Sequence, residues 1–106
     1  LTDTTPPVPN ITVGPSRTKL SAVATFDSSD ITVQVDEACQ AWKVKVVPAT
    51  NSIHTAGTQI ESGGSVAANG TINVNITDDE LSTASPGDGA KIVKFFFQDN
   101  AGNWST

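Results

Sequence analysis

Few residues in this 106-residue chain are able to do chemistry, and their types narrow the options at once. One histidine, His54, sits in the polar run Asn51-Ser52-Ile53-His54-Thr55, which reads as a solvated loop. No glycine-flanked serine elbow accompanies it, so a Ser-His-Asp hydrolytic triad has no frame. One cysteine, Cys39, excludes an intramolecular disulfide and any all-cysteine metal site. One thiol and one imidazole also fall short of the three or four protein ligands that zinc takes. With no cation nearer in the following sequence than Lys43, Cys39 is expected to be a small apolar residue beside a strand rather than a reactive thiol. Gly63-Gly64 and Gly87-Asp88-Gly89 lack the Lys-Ser/Thr and the helix that phosphate-cradling loops need. No catalytic set is expected.

Oxygen donors are the better supplied class. Eleven Asp and Glu against six Lys and Arg give a net charge of −5, with no basic run. A nucleic-acid backbone or an anionic membrane surface would be repelled. Carboxylates and amides suit a hard cation such as calcium, which takes six to eight oxygens. Two groups qualify: Asp78-Asp79-Glu80, which also reads as a helix cap, and Asp99, Asn100 and Asn103 around a turn. Paired carboxylates across a cleft would suit a glycosidase, but a β-domain this small seldom has the cleft.

The third chemistry is apolar contact. In the run Lys91 to Asp99, alternation places Val93, Phe95 and Phe97 inward and Ile92, Lys94 and Phe96 on the opposite face. Ile92 and Phe96 together would mark a partner contact if no neighbouring segment covers them. Trp104, if exposed, is the best aromatic platform for a glycan. Trp42, midway along an alternating run, is expected to pack in the core.

These residues need a scaffold, and composition names its class. Val, Ile and Thr fill 32 positions, against three Leu, three Glu and no Met. Side chains that are stiff at χ1 and suited to a pleated surface dominate, so an all-β fold is expected. The length fits one domain. Residues 1–9, with Pro6, Pro7 and Pro9, read as a stiff proline-rich linker, and 10–106 as a single domain.

Strands are expected at Asn10 to Val13, continuing after Gly14-Pro15 over Thr18 to Phe26, and at Ile31 to Asp36, Gln40 to Val47, Thr58 to Glu61, Thr71 to Thr77 and Lys91 to Asp99. A last strand would start at Trp104. Asn69-Gly70 makes a tight turn, Asp78 to Ala84 one short helical turn, and Asn100 to Asn103 a hairpin turn. About seven short antiparallel strands separated by turns predict a Greek-key β-sandwich.

The Asp3-Thr4-Thr5-Pro6-Pro7 entry, the Trp42 strand, Gly63-Gly64, the stretch from Glu80-Leu81 to Gly87-Asp88-Gly89 and the close Gln98-Asp99-Asn100-Ala101-Gly102-Asn103-Trp104-Ser105 resemble those of bacterial and bacteriophage immunoglobulin-like (fibronectin-III-like) domains. The resemblance spans nearly the whole chain. The unpaired Cys39 sets it apart from the antibody type. The resemblance implies a non-catalytic module of a phage virion, in its tail, baseplate or decoration, or of a bacterial surface protein, acting as a spacer and weak adhesion unit toward host cell-surface carbohydrate. Its location would be extracellular, its partners the neighbouring domains of a longer parent and a cell-surface glycan, with no nucleic acid and no membrane insertion.

The adhesion residues in that reading are Ile92, Phe96 and Trp104. The resemblance further implies an alternative, a structural stalk repeat with calcium-stiffened junctions, in which Asp99, Asn100 and Asn103 meet the Asp3 of a following repeat. A third reading is an accessory domain of a secreted glycan-degrading enzyme.

Overall fold

The computed structural model describes residues 3–23, 26–87 and 89–106. Six strands and one helix follow in the order β1 (Pro9–Val13), β2 (Ser28–Val35), β3 (Cys39–Val47), β4 (Thr58–Gly63), β5 (Thr71–Thr77), α1 (Asp78–Ala84) and β6 (Ile92–Asp99). They form two antiparallel three-stranded sheets, ordered β1-β2-β5 and β4-β3-β6.

The alternation of small β-branched residues builds the core. Ile31, Val33 and Val35 of β2 and Ile72, Val74 and Ile76 of β5 turn inward from one sheet. Val44 of β3 and Phe95 and Phe97 of β6 meet them from the other, with Trp42 and Val93 packed against the cluster. Each such side chain contributes roughly 1.5–3 kcal/mol on full burial. Thr32, Asn73 and Asn75 take the outer positions of the first sheet, where Thr32 Oγ1 donates to Asn73 Oδ1 at 2.7 Å.

Gly63 owes its identity to Trp42. A Cβ at position 63 would sit 2.3 Å from the indole, so only glycine lets the ring lie across β4. Helix α1 starts from a capping box: Thr77 Oγ1 accepts from the Glu80 N–H while the Glu80 carboxylate accepts from the Thr77 N–H. Asp78, Asp79 and Glu80 occupy its first turn, where negative charge opposes the helix dipole.

Among the described residues six strands are present rather than about seven: neither the continuation of the first strand over Thr18 to Phe26 nor a last strand from Trp104 forms there. Of the run expected over Thr18 to Phe26, residues 24 and 25 lie outside the described residues, and the others form no strand. The segment closes on itself instead: the Ser21 N–H donates to Phe26 O and the Phe26 N–H to Val23 O, which takes up groups a ladder would need. Val23 and Phe26 stay exposed. From Trp104 onward the chain makes one bridge, to Gln98, and no strand.

Candidate functional site

Three turns meet at one pole of the molecule: the entry before β1, the β2–β3 connection and the turn that follows β6. Antiparallel pairing brings the last two together, because the end of β2, the start of β3 and the end of β6 all lie at that pole. The entry is tied down there. The Val8 N–H donates to Asp36 Oδ1 at 2.8 Å, the Asp36 N–H donates to Val8 O at 3.3 Å, and Pro7 is fully buried.

Asp99 organises the pole. It is 2% exposed, and its Oδ1 accepts from the N–H groups of Ala101 and Asn103 at 3.0 and 2.8 Å. Its Oδ2 accepts from Asn103 Nδ2 at 3.0 Å. The same Nδ2 donates to the main-chain oxygen of Asp3 at 2.9 Å, and Gln40 Nε2 donates to the Asp99 carbonyl at 3.0 Å. Burial opposes ionisation of Asp99, but the hydrogen bonds from Asn103, together with contacts to Glu37 and Asp3, outweigh it and bring the pKa down to about 2.

Glu37 completes the group. Ligand atoms of Asp3, Glu37 and Asp99 all lie within 4.8 Å of one another. Glu37 Oε1 is buried and has no hydrogen-bond partner among the described residues. Desolvation first, then contact with the Asp99 carboxylate and the charge of Asp3, push the Glu37 pKa up. Three carboxylates this close ask for a positive charge among them, either a proton on Glu37 or a cation. The donors are all oxygens, which fits a hard cation such as calcium and not zinc or copper.

Of the residues expected to hold calcium, Asp99 and Asn103 come together with the Asp3 of the same chain, and Asn100 is exposed. Glu37 joins Asp3 and Asp99 as a third carboxylate. Glu37 was findable in principle, since Asp36-Glu37 separates the two clearest strands and must lie at the pole reached by the end of β6.

Of the expected apolar contact residues, Phe96 is covered. Phe96 does point away from the main core, but it is 0% exposed. The 48–57 loop folds over it and is held by lysines from the outer face of the second sheet. Lys94 Nζ donates to the carbonyls of Thr50 and Ser52 at 2.8 and 2.9 Å, and Lys45 Nζ to that of His54 at 2.9 Å. Lys45 and Lys94 are cross-strand neighbours, a like-charge pair that would repel. Each is instead spent on loop carbonyls.

His54 is not the solvated loop residue its polar surroundings suggest. It stacks on Trp104 with centroids 4.8 Å apart and planes 13° apart, and meets the edge of Phe96 at 6.5 Å. Its Nδ1 lies 3.2 Å from Lys43 Nζ, which in turn sits 4.3 Å from the centre of the Trp104 ring. Burial and then the charges of Lys43 and Lys45 lower its pKa. Trp104 thus has an imidazole and an ammonium against it, and remains half-buried, as does Ile92.

Cys39 is 2% exposed, and burial followed by the charges of Glu37 and Asp99 pushes its thiol up to about 11, so it is inert as a nucleophile. Glu61 of β4 lies against Glu80 of α1. Hydrogen bonding to that carboxyl, then burial and its charge, raise the Glu61 pKa to about 7. No protein-family model, curated protein or solved structure matches the chain. No helix of the described residues is long and apolar enough to cross a membrane.

Proposed function

We propose that this chain is a non-catalytic immunoglobulin-like spacer module whose entry segment is fastened to the body by a hard cation, calcium being the best fit. The observation that carries the proposal is the convergence of Asp3, Glu37 and Asp99, with Glu37 Oε1 buried and without a hydrogen-bond partner among the described residues. A cation there would neutralise three carboxylates and tie residue 3 to residues 37 and 99 at once.

The strand order supports the immunoglobulin-like reading. Sheets β1-β2-β5 and β4-β3-β6 match strands A, B, E and C′, C, F of such sandwiches. The long dimension supports the spacer reading, at 51 Å against 23 and 18 Å across. A place in a virion or bacterial surface protein follows from the resemblance of the entry and closing motifs. Adhesion through Ile92, Phe96 and Trp104 is the weaker reading, because Phe96 is covered and Trp104 already carries His54 and Lys43.

Amide hydrogen exchange tests the fastening. Calcium should slow exchange at Thr5 and Val8, whose N–H groups bond Asp3 Oδ1 and Asp36 Oδ1, and should not do so in Glu37→Gln. Unchanged exchange at both amides on adding calcium would overturn the proposal.

A further inference from the structure

Strand β5 ends its sheet: β2 lies on one side of it, and among the described residues no main-chain partner lies on the other. The phase of the ladder is fixed at both ends. The Val35 N–H donates to Gly70 O at 3.1 Å and the Asp78 N–H to Asp27 O at 2.8 Å, so Ile72, Val74 and Ile76 are the residues that exchange main-chain bonds with β2. Asn73 and Asn75 therefore turn both of their main-chain groups outward.

Proteins blunt such edges with proline, charge or a bulge. Strand β1 carries Pro9 and a shift of register, and β4 carries Glu61 and a shift against β3. Strand β5 has none of these. It pairs with β2 without a shift, and residues 62–77 hold no charged side chain.

The same strand is complementary to itself. It reads Thr71-Ile72-Asn73-Val74-Asn75-Ile76-Thr77, identical in both directions. Set antiparallel against a second copy with Val74 opposite Val74, every residue meets its own kind, and Asn73 falls opposite Asn75 with the main-chain groups of both already turned to the partner. The side chains agree with that register. Thr32 Oγ1 donates to Asn73 Oδ1 at 2.7 Å, while Asn75 Nδ2 donates to Asp30 Oδ1 at 2.8 Å. Strand β2 thus holds the two amides in opposite senses, leaving Asn73 Nδ2 as a donor and Asn75 Oδ1 as an acceptor without partners among the described residues. Both side chains are exposed, and directly opposite residues share a face, so donor meets acceptor on each side of the axis.

We propose that two copies of this chain associate through β5, antiparallel about a two-fold axis at Val74, so that their β1-β2-β5 sheets join into one continuous sheet. Main-chain bonds run between Asn73 of one copy and Asn75 of the other in both directions, with the side-chain amide bonds beside them. The interface is isologous and closes at two copies. An edge-to-edge contact buries little surface, so the dimer forms at high concentration and dissociates on dilution.

Sedimentation equilibrium and amide hydrogen exchange of the 106-residue chain, followed from about 10 μM to about 1 mM, test the pairing. The average mass should climb from that of one chain toward that of two. Exchange at the Asn73 and Asn75 amides should slow by roughly threefold to tenfold over that range, while exchange at Ile72, Val74 and Ile76, already bonded to β2, should not change. The double variant Asn73→Lys, Asn75→Lys sets ammonium groups against one another across the axis and should stay a single chain at about 1 mM. If that variant does not fold, exchange at Asn73 and Asn75 in the unaltered chain decides. The proposal is overturned by the mass of one chain at every concentration, by a dimer that leaves exchange at Asn73 and Asn75 unchanged, or by equal dimerisation of the lysine variant.

Discussion

Asn103 and Asp3 stand at opposite ends of the sequence, yet Asn103 Nδ2 donates to the main-chain oxygen of Asp3 at 2.9 Å. The same amide nitrogen serves Asp99 Oδ2. One side chain thus closes the entry segment onto the turn after β6. Asn103→Ala removes both bonds and leaves a buried carboxylate oxygen short of a donor. The expected loss is about 1–3 kcal/mol of stability by chemical denaturation, with faster exchange in residues 3–8.

Phe96 separates a covered residue from a binding residue. A large side chain with no exposed surface should cost about 3–5 kcal/mol when cut to alanine. An exposed contact residue would cost about 0.5 kcal/mol or less. Thermal or urea unfolding of Phe96→Ala distinguishes the two, and the 48–57 loop should become more susceptible to proteases in the same variant.

Gly63→Ala places a methyl group 2.3 Å from the Trp42 indole. The ring must move off β4 or the strand must shift, and overpacking of this kind costs about 1–3 kcal/mol. A change in tryptophan emission with the Trp104 contribution removed by Trp104→Phe would report the displaced ring.

Glu61 sets a pH dependence of definite sign. Its folded pKa of about 7 lies above the unfolded value of 4.5, so the folded state holds the proton more tightly. That contribution is full below pH 4.5 and is lost as pH rises to about 7. Asp99, held at about 2 against an ordinary 3.8, acts oppositely and destabilises only as pH falls through that lower window. The Glu61 contribution to the unfolding free energy should therefore fall between pH 4.5 and 7 and vanish in Glu61→Gln, while His54, whose pKa is lowered from 6.5, acts in the opposite sense as pH rises toward 6.5. The raised Glu37 carboxyl adds in the same direction, and calcium should remove its share.

Where the sequence carried a physical period, the structure was legible. Thr71–Thr77 is bounded as the alternation of Ile72, Val74 and Ile76 predicts, and β2, β3 and β6 begin within a few residues of their expected starts. Thr18 to Phe26 misled because Val23 and Phe26 look like strand residues, while nothing in the local pattern shows that Ser21, Val23 and Phe26 bond to one another. Alternation placed Phe96 on the outer face, but a period cannot say what covers that face. The cover is a polar loop held by Lys45 and Lys94, whose charges read as solvated surface. The carboxylate site was half legible. Asp99 and Asn103 stood out at a turn, but the return of Asp3 across the whole chain and the approach of Glu37 depend on tertiary structure alone.

The most direct measurement is a calorimetric calcium titration of the chain and of Glu37→Gln, a substitution that leaves the hydrogen bonds of Asp99 in place. The account predicts one saturable site per chain, with a Tm that rises with calcium concentration, and loss of both in Glu37→Gln. No binding heat and no Tm shift in the unaltered chain, or equal binding by Glu37→Gln, would contradict it.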